Sequence, residues 1–335
     1  MLDLSNTFDI ENLVFEGGGA KGLAYVGVIN ALGELGIYQQ DGYKIKKVAG
    51  TSAGSITALL ISLDYSPEEI QKKLFNLDFN SLFEVSINYL KNVPNPTNWN
   101  GLKNFAEYIN TIMSNYGKGQ GGINSGDKFI SWIEDIVSNS KYKNKLNANS
   151  TFSDLKNVTH HDLYVYGTRV FNSNQTIADF NAKETPGFSI VKAIRISMSI
   201  PFLFQSVLLE PEKEYYVDGG VVYNFPINFD DSNTEIHKTL GFSLHKLEQV
   251  NQYPEGDNIF NQIYLEAKAL VEDIYSSEVW RYKKDEATND RIVFMDTSFV
   301  STLDFDMDVV TKKKLIANGH KETLSYFISR IKQQK

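Results

Sequence analysis

Residues Ile45–Leu63 read IKKVAGTSAGSITALLISL. Ile45–Gly50 has the apolar character of a short buried strand, and Ala53–Leu63 that of a buried helix. Between them, Gly50-Thr51-Ser52-Ala53-Gly54 forms G-x-S-x-G. A strand–turn–helix setting is what a nucleophile elbow requires. The turn is sharp, so the residues two before and two after the serine must be small. Ser52 is then pushed out at a helix N-terminus, where developing negative charge is favoured. The bland alternative is a chance match, and the setting argues against it.

Upstream, Leu13–Glu16 reads as a strand entering Gly17-Gly18-Gly19-Ala20-Lys21-Gly22. From Lys21 onward, Leu23, Val26, Ile29, Ala31 and Leu32 keep helical spacing to Leu35, and Gly36 is a stop signal. This order predicts an α/β fold with a mostly parallel sheet. Gly17, Gly19 and Gly22 also satisfy the dinucleotide pattern G-x-G-x-x-G. That pattern needs an acidic residue at the end of the second strand. Here that strand ends in Gly50-Thr51-Ser52, and Asp41 precedes it. A P-loop fails too, because Gly22 follows Lys21 where Ser or Thr is needed. What survives is a set of backbone N–H donors at a helix N-terminus, beside a candidate nucleophile. That combination suits an oxyanion hole for acyl transfer.

Serine needs a base to become a useful nucleophile. His160, His161, His237, His245 and His320 sit in no convincing motif. A carboxylate is the other choice. Val217-Asp218-Gly219-Gly220 ends an apolar strand, and by itself it reads as an ordinary Asp-Gly turn. Placed at the carboxyl edge of a parallel sheet, Asp218 stands where ligand sites of open α/β sheets lie.

The remaining chain is read as one domain over residues 1–335. "FSIVKAIRISMSIP" is a helix ending before Pro201. "DLYVYGTRVF", "EYYVDGG", "TLGFSLH" and "RIVFMDTS" are strands. Ile259–Tyr282 and Thr311–Ile331 are helices, within C-terminal elements over 232–335 that pack on the same domain. Asn80–Gly126, rich in Asn, Gly and Pro, reads as a mobile insertion or lid around a helical stretch from Leu102 to Tyr116. Its Leu82, Phe83, Tyr89, Leu90 and Trp99, with Phe75 and Phe79 beside it, suit either an acyl-binding lid or core.

Composition narrows the class. Hydrophobic residues at 42% and charged residues at 22% describe a globular chain. A formal charge of −8 argues against a nucleic-acid partner. The absence of cysteine removes disulfides, thiolate zinc sites and a cysteine nucleophile. The acidic, polar N-terminus carries no secretory leader pattern, and no run approaches a membrane span. The expected location is cytoplasmic or peripheral to a membrane, with Sec-independent export as an effector also compatible.

GGGAKG, GTSAG and DGG, in that order, resemble the bacterial branch of the patatin-like phospholipase family over Leu13–Pro226. "AIRISMSIPFLFQSV" and the exit through Asn224 and Pro226 extend the likeness. The resemblance implies a three-layer α/β/α fold and a lipid acyl hydrolase of phospholipase A type. Ser52 is then the nucleophile and Asp218 its base, a dyad without histidine. Backbone N–H groups among Gly17, Gly18, Gly19 and Ala20 hold the oxyanion. Lys21, Gly22, Gly50, Gly54, Gly219 and Gly220 support the motifs. The implied substrate is a phospholipid or other acyl lipid met at a transient membrane surface. No metal or cofactor is implied, and an activator is compatible. Two other classes compete: a weakly catalytic lipid- or protein-binding module of the same fold, and a dinucleotide-binding oxidoreductase.

Overall fold

In a computed structural model of the chain, β1 spans Asn12–Phe15 and enters the glycine loop. A 3₁₀ turn over Gly19–Leu23 follows, then α1, Ala24–Glu34. The Ile45–Leu63 stretch forms β2, Lys47–Thr51, and α2, Ala53–Ser62. The structure describes residues 7–38, 44–84, 121–170, 176–232, 235–244, 269–275 and 286–333, with isolated positions 110, 114 and 265.

Among the described residues, α3 (Pro67–Phe75), α4 (Asp127–Ser138) and α5 (Phe152–Thr159) lie before the next strand. α3 starts at a full capping box, with Ser66 accepting from the Glu69 N–H and Glu69 accepting from the Ser66 N–H. β3 (Asp162–Val170), β4 (Ile177–Phe180), α6 (Ile190–Ser197), β5 (Val207–Leu209) and β6 (Glu214–Asp218) follow. β7 (Thr239–Ser243), β8 (Ile292–Phe294) and α7 (Val309–Gln333) come last in the chain.

The eight strands form one sheet in the order β5-β6-β3-β2-β1-β7-β8, with β4 on β3. β1, β2, β3, β7 and β8 run parallel, whereas β4, β5 and β6 run antiparallel to their partners. The sheet is thus mixed but mostly parallel and flanked by helices, the three-layer α/β/α class.

Period-two alternation divides the core. Leu13, Phe15, Val48, Leu163, Val165, Leu240 and Phe242 join the larger core with the apolar faces of α1, α2, α6 and α7. The alternate residues Val14, Ala49, Tyr164 and Tyr166 pack instead against Phe225 and Ile227 of the extended chain after β6. Each fully buried Leu, Ile or Phe contributes about 1.5–3 kcal/mol by leaving water.

The register of β3 sets up the site. Val165 and Tyr166 pair with both β2 and β4, so these two lie on opposite edges of β3. Gly167 pairs with both Ala178 of β4 and Asp218 of β6, so β6 lies opposite β4 as well. β2 and β6 therefore share one edge of β3 and run toward each other. β2 ends at Thr51 opposite Tyr166, and β6 ends at Asp218 opposite Gly167.

Most of the Asn80–Gly126 insertion lies outside the described residues, including Tyr89, Leu90 and Trp99. Of its described residues, Leu82 and Phe83 are buried in the core. The Phe83 ring packs at 5.3 Å from Phe204 and 5.2 Å from Phe305. The helix read over Ile259–Tyr282 is helical at 269–275, and most of the rest of its span lies outside the described residues. No helix among the described residues is long and apolar enough to cross a membrane.

Candidate active site

Ser52 sits between β2 and α2 with φ 52° and ψ −127°. A non-glycine residue pays about 1–3 kcal/mol for such a backbone, and persists there only when its surroundings enforce it. The enforcement is close approach. A Cβ on Gly50 would lie 2.3 Å from the Gly54 carbonyl oxygen, and one on Gly54 only 2.2 Å from that of Phe15. Gly54→Ala should therefore force α2 away from β1 and destabilise the fold by about 3 kcal/mol. Urea unfolding measures it; an unchanged midpoint would show that the elbow has slack.

The last turn of α6 holds both strand ends. Ser197 Oγ accepts the Ser52 N–H at 2.9 Å. The Ser199 carbonyl accepts the Asp218 N–H at 3.0 Å. Met198, between them, places its sulfur 3.6 Å from Ser52 Oγ. Buried Arg195 braces this turn by donating to Ser199 Oγ and to the carbonyls of Ser125 and Gln205.

Ser52 and Asp218 are both fully buried. Asp218 Oδ1 accepts the Gly220 N–H at 2.7 Å. Burial pushes the Asp218 carboxyl up to about 7, against the opposing pull of Ser52, the Gly220 N–H and Tyr275. Both hydroxyls pull the carboxyl toward its ionised form. Asp218 Oδ2 and Tyr275 Oη are buried without a partner among the described residues.

The glycine loop lies against the elbow, since β1 and β2 pair Phe15 with Gly50. A Cβ on Gly17 would stand 3.1 Å from Ser52 Cβ. Of the four residues expected to offer N–H groups, two are committed elsewhere. Gly17 donates to the Asn224 carbonyl at 3.0 Å, and Ala20 to that of Thr302 at 2.9 Å. Only the N–H groups of Gly18 and Gly19 have no partner among the described residues, and Gly19 has φ 52°. Gly22 packs against Ala53, where an added Cβ would come within 2.7 Å. Gly219 does the same against the Tyr166 carbonyl, at 2.4 Å.

Lys21 is buried and pairs with Glu272 at 2.6 Å. Glu272 also accepts from Ser301 Oγ at 2.7 Å and from the Thr302 N–H. Burial would raise its carboxyl, but Lys21 and these donors outweigh it and hold it below the usual range. Thr302 in turn receives Ala20, so a closed ring of contacts runs Lys21–Glu272–Thr302–Ala20. Asn224 ties the loop from the other side, donating to the Gly17 carbonyl at 3.1 Å and to the Tyr275 carbonyl at 2.8 Å.

The histidines are engaged away from the pair. His161 meets Asp64 at 2.9 Å, His320 meets Glu34 at 3.0 Å, and His237 meets Glu235 at 3.1 Å. His160 caps α5 in a left-handed conformation, and His245 lies outside the described residues.

The chain is similar to several known proteins. A family model described as patatin-like phospholipase matches residues 13–230. Protein R571 of Acanthamoeba polyphaga mimivirus is 28% identical over 333 residues, covering 96% of this chain and 95% of its own. A probable lipid hydrolase, 463L of Invertebrate iridescent virus 6, is 25% identical over 259 residues, covering 74% and 76%. The crystal structure of VipD from Legionella pneumophila shares the fold with a TM-score of 0.57 at 18% identity, over 96% of this chain and 67% of that one.

Proposed function

Because the chain belongs to the patatin-like phospholipase family, we propose that it is a lipid acyl hydrolase working through a Ser52–Asp218 dyad. The observation that carries this is the head-on meeting of β2 and β6 at consecutive residues of β3, which brings Ser52 to Asp218. Ser52 Oγ attacks the ester carbonyl and its proton passes to Asp218. The tetrahedral oxyanion is held by the Gly18 and Gly19 N–H groups, the two left without partners. One such donor is worth about 2.7–4 kcal/mol in other acyl-transfer sites. Collapse expels the alcohol, which takes the proton from Asp218. Water then attacks the acyl-Ser52 ester and gives its proton to Asp218; collapse breaks the acyl–Oγ bond, releases the fatty acid, and Asp218 returns the proton to Ser52 Oγ.

A carboxyl near 7 suits both halves of this cycle, because it accepts and returns a proton with little bias at neutral pH. The substrate class is a fatty-acyl ester of a phospholipid or related lipid. One observation favours the alternative of a weakly catalytic binding module: Ser52 and Asp218 are wholly buried, so the surrounding elements must part to admit an ester.

The deciding experiment incubates mixed phospholipid vesicles with wild type and Ser52→Ala and identifies products by mass spectrometry. Wild type should release fatty acid and lysolipid, and Ser52→Ala should be slower by about 10⁴-fold or more. A fluorophosphonate should label only wild type. Equal turnover by both proteins would end the dyad assignment.

A further inference from the structure

Three buried polar atoms around Asp218 have no partner among the described residues: Asp218 Oδ2, Asn224 Oδ1 and Tyr275 Oη. Two are acceptors and one is a donor. Buried groups left unpaired are unusual in folded chains, and a cluster of complementary ones calls for an explanation. Tyr275 is fully buried in the helical residues 269–275, far along the chain from both motifs. Its ring lies over the DGG turn: a Cβ on Gly220 would meet Tyr275 Cε1 at 2.6 Å and Cζ at 2.8 Å. Asn224 anchors its backbone through the 2.8 Å bond to the Tyr275 carbonyl. The ring is therefore fixed and its hydroxyl has little choice of acceptor.

We propose that Tyr275 is a positioning residue whose hydroxyl donates to Asp218 Oδ2, holding the carboxylate ionised and aimed at Ser52. This rests on the Ser52–Asp218 dyad proposed above. With the ring held, turning the Tyr275 O–H bond toward Oδ2 pairs the orphan donor with the orphan acceptor. Asp218 then has two fixed donors, the Gly220 N–H and Tyr275, and Ser52 Oγ as the third. Tyr275 stays neutral, because burial and the facing Asp218 both raise its phenol well above its usual range. The other acids nearby are already held. Glu272, one turn earlier, is paired with Lys21, and Glu16 accepts from Ser243, Leu244 and Asn224. Among the described residues no cation stabilises the Asp218 carboxylate, so hydrogen-bond donors alone oppose its burial.

The test is the pH profile of Ser52 labelling by a fluorophosphonate from pH 5 to 10. A base must be ionised to work, so wild-type labelling should rise through a limb near the Asp218 value of about 7. Tyr275→Phe removes one donor, leaves burial less opposed, and should move the limb up by about one pH unit. The variant is then about tenfold slower below the limb and converges with wild type at pH 9. Replacing Tyr275 by 3,5-difluorotyrosine keeps the shape, strengthens the donor, and should move the limb down. It also serves if Tyr275→Phe fails to fold. A limb that stays in place in either variant overturns the proposal, including the case where the hydroxyl donates to Asn224 instead. Labelling that persists in Ser52→Ala overturns the dyad and this inference together.

Discussion

Asp218→Asn should abolish hydrolysis while making the fold more stable above neutral pH. Among the described residues Asp218 is the carboxylate beside Ser52, so its loss removes the base, and turnover should fall by about 10⁴-fold. The stability effect follows from burial. The carboxyl titrates at about 7 in the folded chain against an ordinary 3.8, so the folded state keeps a proton that the unfolded state has released. Its contribution to stability is full below 3.8 and is lost as pH rises through about 7. Above that, wild type carries an ionised, desolvated carboxylate that Asn does not. A shift of this size corresponds to about 4 kcal/mol at most. Melting curves should therefore show Asp218→Asn above wild type at pH 8, with the gap closing toward pH 5. A variant less stable than wild type at pH 8 would mean that Asp218 is not held at a raised pKa.

Lys21→Met should be the most damaging of the substitutions outside the dyad. It leaves the Glu272 carboxylate buried without its cation, and breaking a buried pair from one side costs about 3–5 kcal/mol. Glu272, no longer held by Lys21, is also the acceptor for the Thr302 N–H, and the Thr302 carbonyl holds Ala20 beside the unpartnered Gly18 and Gly19. Glu272→Gln in the Lys21→Met background should recover part of the loss, since it removes the stranded charge. The deficit should also grow with pH. Without Lys21, burial dominates and raises the Glu272 carboxyl, so ionisation above the ordinary carboxylate range destabilises the variant, whereas it stabilises wild type. Urea unfolding at pH 5 and pH 8 distinguishes these cases. An equal deficit at both would assign Lys21 to packing alone.

Much of the site was legible because it is built from short local patterns. G-x-S-x-G between strand and helix carries its own geometry, and the glycine loop one βα unit earlier reports close backbone approach. Asp218 became readable only in their company. Tyr275 and Glu272 were not legible. Glu272 is 251 residues from Lys21, and nothing in an amphipathic helix says which turn meets which loop. The engaged N–H groups of Gly17 and Ala20 were hidden for the same reason, since their acceptors are carbonyls of Asn224 and Thr302, and a carbonyl has no residue type. The antiparallel run of β6 was hidden too, because alternation marks a strand but not its direction. α3 is a different case: Ser66-Pro67-Glu68-Glu69 is a complete helix start in the sequence.

Sharing one edge of β3 gives the two strand ends an unusual kind of tolerance. The distance between Ser52 and Asp218 is measured out by peptide pairing along a single strand, one residue apart, and not by the shapes of core side chains. Apolar residues beneath the sheet can be exchanged over long evolutionary drift without moving the two ends relative to each other. Chain length is not forgiven in the same way. One residue inserted between Tyr166 and Gly167 would part the ends by about 3.3 Å and turn the following side chains to the opposite face. Substitution beneath the sheet is thus tolerated where an insertion within β3 is not.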